Sequence, residues 1–235
     1  MRIVLLPGLD GTSDLYADLI MALPGEVRVR ALCYPVDVCL DEEQLRASID
    51  VWAETETPFL LVAESFSTPT AIRYAARSPE NVLGLVLIAG FARSPLSGWR
   101  RILAGLFAGL LFRLPLPDSI LRAALVGQDA PQSLLDAVRA AVGRVAPSVL
   151  AHRLRLVLNC DVRAELAQIA VPVLYVLAKG DRLVGQEALR EIRRCLPGVE
   201  VVRVPGPHLL AQREPKRMVE ILCRFLEQTA ETAIK

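Results

Sequence analysis

The chain has 235 residues, of which 53% are hydrophobic, 5% aromatic and 23% charged, and its net charge is +1. That hydrophobic content excludes intrinsic disorder, and the length allows one large domain or two small ones. The near-zero charge argues against a globally basic nucleic-acid binder.

Along the chain, short apolar runs alternate with longer amphipathic stretches. Arg2–Leu6 reads as a strand that ends at the turn Pro7-Gly8-Leu9-Asp10-Gly11-Thr12. A helix follows over Ser13–Ala22, with Ser13 as its N-cap. The strand Val27–Leu32 precedes a helix over Asp41–Glu54, and Phe59–Ala63 precedes one over Thr68–Arg77. Leu83–Ala89 is a fourth strand. Then comes a break from about Ser94 to Asn159 with no strand pattern and four helical ones, Trp99–Phe112, Asp118–Leu125, Pro131–Val142 and Pro147–Leu158. Alternation resumes with Val171–Ala178, the helix Gln186–Cys195, the strand Val199–Val204 and the helix Glu214–Ala230. Several strands are apolar on both faces, which marks a parallel sheet covered by helices on each side. The expected fold is α/β, a three-layer sandwich with a mostly parallel six-stranded sheet and an inserted helical cap. Residues 1–93 and 160–235 form the core, and 94–159 the cap.

The strand Phe59–Ala63 runs into Ala63-Glu64-Ser65-Phe66-Ser67 and then a helix. A strand, a sharp turn centred on Ser and a helix lift a hydroxyl above the sheet at a helix N-terminus, where developing negative charge is favoured. The usual pattern is G-x-S-x-G; here Ala63 and Ser67 stand at the small flanking positions. A Ser nucleophile needs a base, and the chain has only two histidines. His152 lies among the arginines of the insertion and reads as a solvated or locally bonded residue. His208 lies in Pro205-Gly206-Pro207-His208, directly after the last strand. Lys179-Gly180-Asp181 follows the fifth strand, so Asp181 is the carboxylate expected to orient the imidazole. Asp161 is its rival but reads better as a helix cap. Two backbone donors complete the set for an oxyanion: Phe66 N–H after the nucleophile, and Leu9 N–H in the first loop. A phosphate-binding reading of that loop is poor, because no Lys follows Gly11.

These segments together resemble the α/β-hydrolase superfamily over nearly the whole chain. They are most similar to small bacterial carboxylesterases with a helical cap, of which the pimeloyl-carrier-protein methyl ester esterases are one group. The first loop also resembles that of acyl-ester-handling proteins reading PGLDGT. The resemblance implies Ser65 as nucleophile, His208 as general base, Asp181 as its orienting acid, and Leu9 and Phe66 as oxyanion donors. It implies no cofactor and no metal. Pro7 departs from the His-Gly found in many members, and the turn lacks both glycines.

The cap stretch Ile102–Phe112 is apolar all round, as expected of a buried helix lining a pocket for an acyl chain. Charge divides unevenly: residues 1–92 carry 6 basic and 13 acidic side chains, while 93–155 carry 9 basic and 3 acidic. Nine arginines there invite an anionic partner, an acyl carrier protein, coenzyme A or lipid headgroups at a shallow membrane contact. No nucleic-acid partner is expected. Five cysteines without C-x-x-C spacing suggest neither a disulfide framework nor a zinc site. Ile3–Leu6 is too short for a secretory signal, and Ile102–Phe112 is shorter than the roughly 20 residues of a membrane span, so a cytoplasmic setting is the expectation. The function expected is a serine hydrolase of the carboxylesterase, lipase or thioesterase type, acting on a small ester or thioester with an apolar acyl part. Acyl transfer on the same residues, a non-catalytic ligand-binding protein and a cofactor-free oxidative enzyme stand as alternatives.

Overall fold

The structure is a computed structural model that describes residues 2–53, 57–77, 80–114 and 116–233. Six strands form one sheet: β1 (Arg2–Leu6), β2 (Arg28–Ala31), β3 (Phe59–Glu64), β4 (Val82–Ile88), β5 (Val173–Ala178) and β6 (Glu200–Val204). Their order is β2-β1-β3-β4-β5-β6, and every pairing is parallel. The four central strands are buried almost throughout, whereas the edge strand β2 exposes alternate residues and β6 exposes Glu200 and Arg203. This explains why the central strands read as unbroken apolar runs and β2 as an alternating one.

Side chains of successive strand residues enter two separate cores. On one face Val4, Leu6, Leu61 and Ala63 pack with helices α2 (Glu42–Ala53), α3 (Thr68–Ala75), α8 (Arg163–Leu166) and α9 (Gln186–Cys195). On the other Ile3, Leu5, Leu60 and Val62 pack with α1 (Ala17–Ala22), α10 (Leu210–Arg213) and α11 (Pro215–Ala233). The three-layer α/β expectation therefore holds.

Two local expectations change. Ser13 makes no capping bond; the chain there starts as a 3-10 turn over Asp14–Tyr16, and Ser13 Oγ accepts from Cys33 Sγ instead. The expected end of the second helix, Glu54, lies outside the described residues.

Between β4 and β5 the chain is helical: α4 (Gly98–Leu111), α5 (Asp118–Leu121) running into a π-turn over Arg122–Val126, α6 (Gln132–Gly143) and α7 (Pro147–Asn159). The two ends of this insertion meet at its base. Ser94 N donates to Cys160 O and Val162 N donates to Ala92 O, across a bridge between Arg93 and Asp161. The helices between β4 and β5 have an apolar cluster that joins Leu121, Val126, Leu135 and Val138 to Leu209, which follows β6. Contrary to expectation, α4 is not buried: only Ala108 is fully covered, and most of its large apolar side chains face outward. Gly105 and Ala108 make the narrow face on which it leans against α7. A helix needs only one apolar stripe to pack, so a run that is apolar all round leaves the remainder exposed. No helix among the described residues is long and apolar enough to cross a membrane.

Candidate active site

Strand order reverses between β1 and β3, and in an open parallel sheet such a reversal is where the loops after the C-terminal ends of the strands diverge. The expected residues come from four such ends: Leu9 after β1, Ser65 after β3, Asp181 after β5 and His208 after β6.

Ser65 sits at φ +48°, a conformation that costs a non-glycine residue about 1–3 kcal/mol. The turn around it is fixed from several sides. Thr68 Oγ1 donates to Ser65 O at 2.7 Å and accepts from Phe91 N. Ala63 at the position two before is completely buried. Ser67, two after, is more than a small residue: its hydroxyl donates to Pro7 O and also meets Tyr34 Oη at 3.0 Å. Its hydroxyl thereby ties the turn to the first loop.

Asp181 and His208 are brought together by a backbone clamp. Gly180 N donates to Gly206 O at 2.8 Å, and a Cβ on Gly180 would come within 2.9 Å of that oxygen, so only glycine lets the two loops close. Asp181 Oδ1 accepts from Leu183 N and Val184 N, and Oδ2 accepts from His208 Nδ1 at 2.7 Å. With Nδ1 donating, the neutral imidazole leaves Nε2 as the acceptor for Ser65 Oγ at 2.8 Å. The Asp181 and His208 side chains are both almost fully buried.

The rivals are placed elsewhere. Asp161 pairs with Arg163, and His152 Nε2 bonds Leu40 O.

The first loop is held by groups that the sequence reading did not single out. Asp10 Oδ2 accepts from Thr12 N and Thr12 Oγ1. Arg153 of α7, only 3% exposed, donates through Nη1 to Leu9 O and Asp10 O and through Nη2 to Pro35 O. Its guanidinium lies over the Tyr34 ring and fills the space where Gly11, at φ +70°, would carry a Cβ. Burial pulls the Arg153 pKa down, and Asp10 opposes this. Arg153 is thus no candidate for binding an anion. The signal was its spacing of four and three residues from the buried Val149 and Leu150.

Beneath the site lies Glu64, fully buried beside Ser65. Gln212 Nε2 donates to its Oε2 at 3.0 Å, while Oε1 has no partner. Burial pushes Glu64 up to about 7, with Gln212 and His208 opposing.

A six-stranded parallel sheet between two helical layers, with this serine turn at the strand ends, defines an α/β-hydrolase. The chain belongs to the serine aminopeptidase S33 family of hydrolases, whose model matches residues 37–206. A curated relative, the biotin biosynthesis bifunctional protein BioHC of Cellvibrio japonicus, is 26% identical over 95% of this chain and 45% of its own. The chain thus spans about half the length of that relative. The fold is similar to a bromoperoxidase from Bacillus anthracis (TM-score 0.82, 15% identity, 96% of this chain and 91% of that one). It is also similar to an enol-lactonase from Burkholderia xenovorans LB400 (TM-score 0.79, 20% identity, 96% and 91%).

Proposed function

We propose that the protein is a serine hydrolase cleaving a carboxylic ester or thioester with an apolar acyl part, through an acyl-enzyme on Ser65. The observation that carries this reading is the unbroken hydrogen-bonded chain from Ser65 Oγ through His208 to Asp181. Asp181 holds the imidazole with Nδ1 protonated. His208 Nε2 takes the Ser65 proton as Oγ attacks the carbonyl carbon, and the oxyanion accepts from Leu9 N–H and Phe66 N–H. His208 then passes the proton to the leaving oxygen or sulfur. Water, deprotonated by His208, releases the acid. The route requires no metal or cofactor.

An apolar acyl part suits the neighbours of the two oxyanion donors. Leu9 packs among Val145, Val149 and Leu150, and Phe66 among Tyr34 and Leu45. Residues 94–159 act as the cap over this chemistry. Arg153 anchors it to the Leu9 loop, Leu209 N donates to Leu125 O, and Arg213 pairs with Asp129. The small-molecule substrate is in keeping with the biotin-synthesis relative and with the enol-lactonase of similar fold.

A fluorophosphonate probe is expected to label Ser65, and Ser65→Ala to lose both labelling and p-nitrophenyl ester hydrolysis with an unchanged circular dichroism spectrum. Each triad group typically contributes several orders of magnitude in rate. An unlabelled Ser65 beside a labelled control hydrolase would reduce the protein to a ligand-binding one.

A further inference from the structure

The outer face of α4 has the composition of an interfacial helix. Trp99, Ile102, Leu103, Leu106, Phe107, Leu110 and Leu111 are all exposed, Leu106 at 72% and Trp99 at 67%. Trp99, Leu103, Leu106 and Leu110 recur at four, three and four residues, so they form one stripe along the helix. Leu114, just past the helix end, extends it at 62% exposure. An exposed apolar stripe of this length on a folded domain marks a contact with something apolar.

Charge narrows the choice of partner. No Asp or Glu occurs between Glu80 and Asp118. Arg100 and Arg101 stand at the start of α4 and Arg113 just past its end, all exposed and in no ion pair among the described residues. The Arg100 guanidinium lies 5.8 Å from the Trp99 ring centre. Other arginines of the insertion are engaged internally: Arg153 on three carbonyls, Arg122 on Gln128 O and Ala130 O, Arg139 with Asp118, and Arg144 with Asp14. Besides these, Arg155 of α7 is exposed and in no ion pair among the described residues, so three of the four uncommitted arginines of residues 94–159 stand at the two ends of the apolar stripe.

We propose that α4 docks this protein on an anionic lipid surface. The helix lies in the plane of the interface, with its apolar stripe at the headgroup–acyl boundary and the three arginines against headgroup phosphates. A second copy of the chain fits less well, because pairing α4 with α4 sets arginines against arginines at the rim. An acidic protein partner would satisfy the arginines but leave seven large apolar side chains without a match.

Co-sedimentation with vesicles of phosphatidylcholine, alone or mixed with phosphatidylglycerol, tests this. Binding is expected to the mixed vesicles, with a blue shift of tryptophan emission that Trp99→Phe removes. Changing Arg100, Arg101 and Arg113 together to Gln is expected to weaken binding to mixed vesicles about a hundredfold. The pair Leu106→Glu and Leu110→Glu is expected to abolish it, with an unchanged circular dichroism spectrum, since both side chains are exposed. No binding to mixed vesicles overturns the proposal, as does binding that survives the glutamate pair. A concentration-dependent dimer that the glutamate pair dissociates, without vesicle binding, would assign the face to a second copy instead. Capture of an acyl carrier protein by Arg100, Arg101 and Arg113, again without vesicle binding, would assign it to that acidic partner.

Discussion

Helices α4 and α7 pack against each other in the same insertion, and their polarities are reversed. α7 turns a guanidinium inward, and Arg153 is more deeply buried than most of the leucines of α4. α4 turns seven large apolar side chains outward and inserts only its small residues. What separates the two is the supply of partners. Arg153 meets three backbone carbonyls of loops whose C=O groups have no strand or helix to bond, so a buried charge finds acceptors on both of its terminal nitrogens. α4 meets only one neighbouring face, and its remaining surface has no protein to cover it. Hydropathy alone orders these two helices the wrong way round.

The largest test of this contrast is Arg153→Ala. It leaves the carbonyls of Leu9, Asp10 and Pro35 unbonded and empties the space over Gly11. A loss of about 3–5 kcal/mol is expected in urea unfolding, because a buried network is broken from one side. Ester turnover should fall as well, since Leu9 belongs to the loop that Arg153 fixes. Arg153→Lys keeps the charge but not the planar fork and should recover only part of either quantity. Stability equal to the parent's in Arg153→Ala would mean that the loop carries its own conformation.

Glu64 sharpens the comparison, because it is a buried ionisable group with too few partners to hold a charge. One carboxyl oxygen bonds Gln212 and the other has none. Its pKa is raised from the ordinary carboxylate value of 4.5 to about 7, chiefly by burial. The native state therefore holds a proton that the unfolded chain releases between those values. The contribution is favourable below about pH 4.5 and is lost as pH rises through about 7. Glu64→Gln removes that dependence. Its stability relative to the parent is expected to rise between pH 5 and pH 8, by up to about 3 kcal/mol on full linkage. Thermal unfolding at the two pH values reads this directly, and parallel curves for parent and variant would rule out the titration.

Ser67→Ala is expected to cost about 1–2 kcal/mol. It deletes the bond to Pro7 O and leaves the buried Tyr34 hydroxyl without that partner. The joint variant Ser67→Ala with Tyr34→Phe should cost less than the sum of the two single changes, because both ends of one bond are removed. Strict additivity would show that the two hydroxyls do not act on each other.

How much of this was legible beforehand depended on the range of each constraint. The positions of Ser65, Asp181 and His208 follow from strand ends, because a parallel sheet brings the loops after β3, β5 and β6 to one edge. With only two histidines, the choice of His208 over His152 was also narrow. The roles of Ser67 and Arg153 were hidden because each depends on a partner far along the chain, Pro7 for one and Leu9 for the other. Charge counting puts Arg153 with the nine arginines that invite an anionic partner, whereas its helical spacing from Val149 and Leu150 puts it on the inner face. The exposure of α4 was hidden for the converse reason: a run apolar on every side carries no periodicity to say which side is covered.

The smallest expected effect lies on that exposed side. Leu106→Ser and Leu110→Ser remove side chains with little packing to lose, so each should change unfolding stability by less than about 0.5 kcal/mol. Leu158, on the α7 surface that Gly105 faces, is buried, and Leu158→Ser should cost several times more, about 2–4 kcal/mol, by cavity and unpaired-hydroxyl terms. The ratio between the two leucine classes is the useful quantity, because both belong to the α4–α7 pair and have the same chemistry, one class facing the contact and the other facing away. Equal losses would mean that α4 is covered in solution and that its outward leucines are already paired. A large difference means that the cost of the exposed stripe is borne by the free protein and relieved only when something apolar covers it.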